Sequence, residues 1–288
     1  MAYKLKVAPV NSNNFLRWYP NVTPTIANSE LSNGLHNGYS YKWRPQPDLI
    51  PVLVGDTLTM YTNFDSTTYL TGKFVKVVEE SSCGVYTVIN DVAKYDITAT
   101  ARGDNNAKIV LTIPATNTDN NKKIRLAIVS DVDAVEYVSN YFLVGQLTTK
   151  NINNTHLISF YSKSNIYNYD WAGFDELVDD FYQIRVSSSI VGISYPSEKE
   201  IYTEATTGKP RVTRAVNNKT YSFEIYYNVE ELHDAVSTVS NFRYFGINGK
   251  QYIVEEYEVE FVRNLNIFKG VMTIKDVAYD RRINTCVV

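Results

Sequence analysis

Between Leu49 and Val144 the apolar positions recur every second residue in short bursts, separated by Asn, Asp and Gly. Period-2 alternation bounded by turn residues predicts half-buried strands. Leu49–Val54 is an apolar run closed by Gly55-Asp56. Alternating segments follow at 57–64, 73–78, 85–89, 97–101, 108–113, 123–129 and 135–144. No stretch of helical period interrupts them. Such spacing predicts an immunoglobulin-like antiparallel sandwich over residues 48–147, without the Cys-Trp-Cys arrangement of antibody domains.

Ahead of it, residues 1–47 read as an extended arm, broken by Asn-Ser-Asn-Asn at 11–14, by Asn37-Gly38 and by Pro20, Pro24, Pro45 and Pro47. The arm carries Phe15, Trp18, Tyr19, Tyr39, Tyr41 and Trp43. Large aromatics on such a segment are laid over their own domain or over a neighbour. These six are the candidate interface of an oligomer.

The polar stretch Gln146–Asn154 marks the expected domain boundary, and the pattern changes after it. Residues 155–288 predict a β-sheet carrying one helix. A strand is expected at 182–191, with short ones at 201–204 and 210–216. In 219–227, Tyr221, Phe223, Ile225 and Tyr227 share one face. Asn228 and Glu231 form an Asn-x-x-Glu cap, and Val229, Leu232, Val236 and Val239 give the helix over 229–241 one apolar stripe. Asn248-Gly249 predicts a two-residue hairpin, and a second hairpin joins 255–263 to 267–274.

Composition adds weight to the β reading: 23 Tyr and 12 Phe stand against 3 His and 3 Met in 288 residues. With 28 basic and 31 acidic residues the net charge is -3, which argues against a protein that coats phosphate. Residues 1–147 carry 13 of each sign, so the acidic excess lies in the second half. Cys83 and Cys286 are expected as free thiols, and no apolar run reads as a secretory leader or a membrane span.

Candidate chemistry is sparse. His36 and His156 fall in Asn-rich segments read as loops, without metal-ligand spacing, and His233 on the predicted helix reads as a structural histidine. Asp175, Glu176, Asp179 and Asp180 beside Trp171 and Phe174 fit an exposed acidic helix better than a glycosidase pair. Arg102-Gly103-Asp104 reads as a turn. Neither an enzyme activity, a metal nor a cofactor is expected. One pattern stands out: Glu256, Glu258 and Glu260 share a strand face opposite Tyr257, Val259 and Phe261. That row is either a solvated face balanced by Arg211 or Arg214, or the acidic lining of a channel that keeps a polyanion from sticking.

The segments Ile201–Glu204, Thr207–Val212 and Tyr221–Glu224, the helix, and Phe245–Tyr252 together resemble virion structural proteins of crAss-like and related phages of Bacteroidetes. The resemblance implies a non-enzymatic neck or tail ring, or a baseplate-hub piece, of six or twelve copies. Its partners would be itself, the portal and other tail proteins, with double-stranded DNA in transit and no membrane. A sheet with one flanking helix is also similar to the tail-tube and connector class of phage folds. The competing reading is a carbohydrate- or receptor-binding sandwich, as in a phage adhesin or a bacterial surface glycan-binding protein.

Overall fold

Alternating side chains put one face of each strand into a shared core, and in the computed structural model nearly every resulting pairing is antiparallel. The structure describes residues 9–10, 15–21, 49–64, 74–82, 85–102, 106–129, 134–161, 181–227, 230–242, 244–263, 267–278 and 281–284. Two short strands come first, β1 (Pro9–Val10) and β2 (Trp18–Pro20). Eight more build the sandwich: β3 (Leu49–Leu53), β4 (Thr57–Phe64), β5 (Phe74–Ser82), β6 (Val85–Ile89), β7 (Asp96–Arg102), β8 (Asn106–Thr112), β9 (Lys122–Val129) and β10 (Val135–Gly145).

One sandwich sheet runs β4-β8-β7 and the other β10-β9-β5-β6, with β3 added parallel to β10. A first strand parallel to the last, and three strands facing the remainder, give the immunoglobulin-like order. Its core is the inward set Ile50, Val52, Leu58, Met60, Val77, Ile109, Leu111, Ile124, Leu126 and Phe142, all buried.

A six-residue helix, α1 (Thr149–Asn154), links the halves. Thr148 caps it by accepting from the Asn151 amide at 3.2 Å, and the Asn151 side chain donates to the Gln146 carbonyl at 2.8 Å. The polar stretch expected as the domain boundary is thus partly helical and internally hydrogen-bonded.

Then come β11 (Thr155–Tyr161), β12 (Tyr182–Ser194), β13 (Ser197–Thr203), β14 (Pro210–Asn217), β15 (Thr220–Tyr227), α2 (Glu230–Ser240), β16 (Tyr244–Ile247), β17 (Lys250–Val262), β18 (Ile267–Asp276) and β19 (Arg281–Asn284). Six of these close on themselves in the order β11-β16-β17-β18-β15-β12, because β12 also pairs with β11. The expected sheet with one helix is thus a closed antiparallel barrel. Closure satisfies edges that an open sheet would leave bare. Phe160, Tyr182, Ile184, Phe223, Ile225, Phe245, Met272 and Ile274 fill it. On α2 the stripe Leu232, Ala235, Val236 and Val239 is buried, and the helix packs against β15, β17 and β18. The Asn248-Gly249 hairpin forms as the dipeptide predicts, with φ of 49° and 78° at the two turn residues.

The sandwich and the barrel share one hydrophobic core. β12 pairs with β4 at Gln183 and Thr59, which fuses a sandwich sheet to the barrel wall. Phe15 sits at this seam, 5.9 Å from the Phe160 ring and 6.0 Å from that of Tyr182.

Candidate functional site

Beyond the barrel, β12 and β15 continue as β13 and β14, and with β19 they form a three-stranded arm. The arm turns at Glu204–Lys209, where Gly208 takes φ of 65°. All seven residues of β13 are exposed. Ile201 is 60% and Val212 44% exposed, and they lie opposite each other on one face with Lys199 and Ala215. The other face carries Glu198, Glu200, Tyr202, Arg211 and Arg214. Arg214 meets Glu200 at 3.2 Å and Arg211 meets Glu204 at 3.4 Å. Nearer the barrel, Ile193 and Tyr195 are exposed as well. Among the described side chains of this sheet none joins the hydrophobic core, and exposed aliphatic residues on such a surface are the kind that interaction sites present. The sequence held the signal, two short strand patterns around Thr206-Thr207-Gly208, but nothing in it showed that the hairpin leaves the body.

The second exposed feature is β17. A bulge at Glu255, between Val254 and Glu256, resets its alternation. After it, Glu256, Glu258 and Glu260 are exposed on the outer wall, opposite Thr273, Val271 and Lys269. Lys269 reaches Glu260 at 3.6 Å and Glu224 at 2.7 Å. Burial raises the Glu224 carboxyl, but hydrogen bonds from Lys269 and Tyr226 outweigh it and hold the group below the usual value. Arg211 and Arg214, the balancing charges considered from sequence, pair within the arm instead. The cation that faces the row is Lys269, which meets Glu260 among the three glutamates and is shared with Glu224.

On the opposite face Tyr257 lies over Gly270, where a β-carbon would come within 2.6 Å of the tyrosine ring. The glycine makes room for a buried hydrogen-bonded chain. His233 Nε2 donates to the Phe268 carbonyl at 3.1 Å, and Nδ1 accepts from the Tyr257 hydroxyl at 2.5 Å. Both nitrogens are satisfied by the neutral ring, so this histidine is structural. His156 lies on β11 and not in a loop. It is buried, 2.9 Å from Ser188 Oγ and edge-on to Phe223 at 5.3 Å. Loss of water holds both imidazoles below their ordinary value of 6.5.

That fixes a sign. Below pH 6.5 the unfolded chain binds protons that the native chain refuses, so stability is complete above that pH and falls as pH drops through it. Each histidine contributes at most about 1.4 kcal/mol per pH unit. Asp119 and Glu224, whose carboxyls are lowered from 3.8 and 4.5, act in a more acid window. Urea midpoints are therefore expected to fall between pH 7.5 and 5.5, and H156Q or H233Q to flatten that slope. A slope unchanged in both variants would refute the assignment.

The arm aromatics fall elsewhere than expected. Phe15 is 1% and Trp18 2% exposed, inside the core of their own chain. Trp18 Nε1 donates to Thr62 Oγ1 at 2.8 Å, and β2 pairs with β10. Tyr19 is half-buried on Val78, Ala127, Val129 and Val138. These three aromatics gain more from that core than from a surface, which corrects their assignment to an oligomer interface. Tyr39, Tyr41 and Trp43 lie outside the described residues, as do His36, Cys83, Cys286 and the Asp175–Asp180 cluster. Among the described residues no group of three metal-ligating side chains converges, and no helix is long and apolar enough to cross a membrane.

No family profile matches the chain, and no curated protein matches it. Among solved structures, the crystal structure of bovine butyrophilin aligns over 85% of this chain and 96% of that one. The TM-score is 0.21 and the identity 6%, a likeness too loose to bear on function.

Proposed function

We propose that this chain is a structural subunit, a ring-forming neck or tail component of a phage virion that contributes to the channel for genome passage. The observation that carries the reading is the arm. A three-stranded sheet that exposes Ile201 and Val212 on one face and an Arg/Glu ladder on the other stands off a well-packed body. Such a surface is costly for a solitary molecule and useful in an assembly. The barrel with one packed helix and the appended sandwich support the tail-tube and connector likeness noted from the sequence. The aromatic arm around Phe15 has no part in this, since its described residues are intramolecular.

Sedimentation and native mass spectrometry of the full chain are expected to give a closed particle of six or twelve copies, ring-shaped in negative stain. A chain that stays monomeric at about 100 μM would end the proposal, since an obligate ring interface far larger than a transient contact holds at that concentration.

A further inference from the structure

We infer that the barrel mouth at the root of the arm binds a small hydroxylated cyclic molecule, one that offers an apolar face and a hydroxyl donor to His156. The site belongs to a single chain and does not depend on the assembly proposed above.

His156 is 8% exposed and shares the inward face of β11 with Ile158 and Phe160. Ser188 Oγ donates its one proton to the Val186 carbonyl at 3.1 Å, so at 2.9 Å it accepts from His156 Nδ1. Burial lowers the imidazole below 6.5, which leaves the ring neutral at pH 7. The proton of the neutral ring is therefore on Nδ1, and Nε2 carries a lone pair. Nε2 meets no hydrogen-bond partner among the described residues. Nor is it sealed: the buried, unpartnered side-chain atoms among the described residues are the Tyr61 and Tyr227 hydroxyls. An acceptor fixed in a side chain that is nine-tenths enclosed, yet open at that one atom, calls for a donor from outside the chain.

The mouth beside it is open and apolar. Directly paired residues share a face of the sheet. Ile190 lies across from the buried Phe223, and Ile193 across from Tyr221, so both aliphatic side chains are on the interior side of the barrel. Deeper interior positions such as Ser188 and Ile225 are sealed, but Ile190 is 43% and Ile193 55% exposed. The barrel therefore flares along this end of β12. Phe223 stands edge-on to His156, and Tyr221 edge-on to Tyr252 at 5.8 Å. Mouths of β-barrels that join apolar walls to a few fixed polar atoms are common small-molecule sites. At the rim Lys250 pairs with Asp276, and Lys219 lies over the Tyr221 ring at 5.0 Å. Two cations against one carboxylate demand no strongly charged ligand and supply hydrogen bonds to further hydroxyls. The apolar face of the ligand suits Ile190, Ile193 and Tyr221, and its hydroxyl suits Nε2. A sugar and a phenol share this chemistry.

The test uses the full-length protein, with methyl β-glucoside and phenol as probes of the two sources. Nuclear magnetic resonance of the His156 ring reports contact at Nε2, and titration of that signal gives the affinity. At about 50 mM, well above a millimolar dissociation constant, at least one probe is expected to shift the Nε2 resonance, and the one that does names the source. H156F keeps an aromatic ring without the acceptor and should weaken that probe by about tenfold, read on the Tyr221 signals. I190S/I193S alters exposed positions alone and should weaken it by about as much. Circular dichroism melts report whether each variant is folded. Should H156F fail to fold, the wild-type shift and I190S/I193S still decide. Neither probe moving the Nε2 resonance overturns the site. So does binding undiminished in either folded variant, or anisole, which lacks the donor, binding as tightly as phenol where phenol is the probe that binds. Such a failure leaves the proposed assembly untouched, because none of these measurements reads it.

Discussion

Replacing Arg185 with methionine is expected to lower the unfolding free energy by about 3–5 kcal/mol, measured as a shift in urea denaturation at constant slope. Arg185 of β12 grips Asp56, at the turn between β3 and β4, with Nε at 2.5 Å from one oxygen and a terminal nitrogen at 2.6 Å from the other. Its remaining terminal nitrogen donates to the Thr155 carbonyl at 3.3 Å. Asp56 also accepts the Leu53 amide at 2.7 Å. Both side chains are buried, so the pair ties sandwich to barrel at the seam. Removing only the guanidinium strands a carboxylate away from water, which is the expensive case. The double variant D56N/R185M should therefore cost less than the sum of the two single ones. A loss under about 1 kcal/mol for R185M would show that the joint does not depend on this fork.

Phe15→Ala and Trp18→Ala should each destabilise the chain by about 3–5 kcal/mol, and removal of residues 1–21 should leave it unfolded. The sequence favours neither outcome, because a polar, Pro-rich arm looks dispensable. The structure puts Phe15 among Phe160, Tyr182 and the sandwich core, and seats Trp18 on Thr62. Asn140 holds the same segment, donating from its side chain to the Phe15 carbonyl at 3.0 Å. Thermal melts of the two alanine variants check this directly. A truncated chain with the wild-type melting temperature would show that the segment is an ornament.

Local patterns made most of the strands legible. Tyr221, Phe223, Ile225 and Tyr227 turn inward as their spacing requires, though Tyr221 only partly. Leu232, Val236 and Val239 do so on α2, whose expected cap Asn228 is outside the described residues. Long-range geometry was not legible. Barrel closure depends on β12 meeting β11, and nothing in either strand names its partner. α1 escaped notice because six residues held by Thr148, with Ile152 alone apolar among them, carry no apolar period. His156 read as a loop residue because the Asn-rich run ahead of it hid the alternation of Ile158 and Phe160. As for the candidate site, the glutamate row was visible as a period-2 pattern. The contact of Lys269 with Glu260 depends on register across a hairpin, and the exposure of the arm depends on what fails to pack on it. Neither is a property of a sequence window.

The seam around Phe15 also orders events during synthesis. The ribosome delivers Phe15 long before Phe160 and Tyr182, the rings it packs against, and 167 residues separate it from Tyr182. At roughly 5–20 residues per second that interval is about 8–33 seconds. For most of it β10, whose register holds β2, is also still to come, and the last of the rings around Phe15 arrives only at its end. The leading end of the chain is thus among the last parts to lock. Its docking can serve as a late checkpoint, engaged only once strands from both halves are in place.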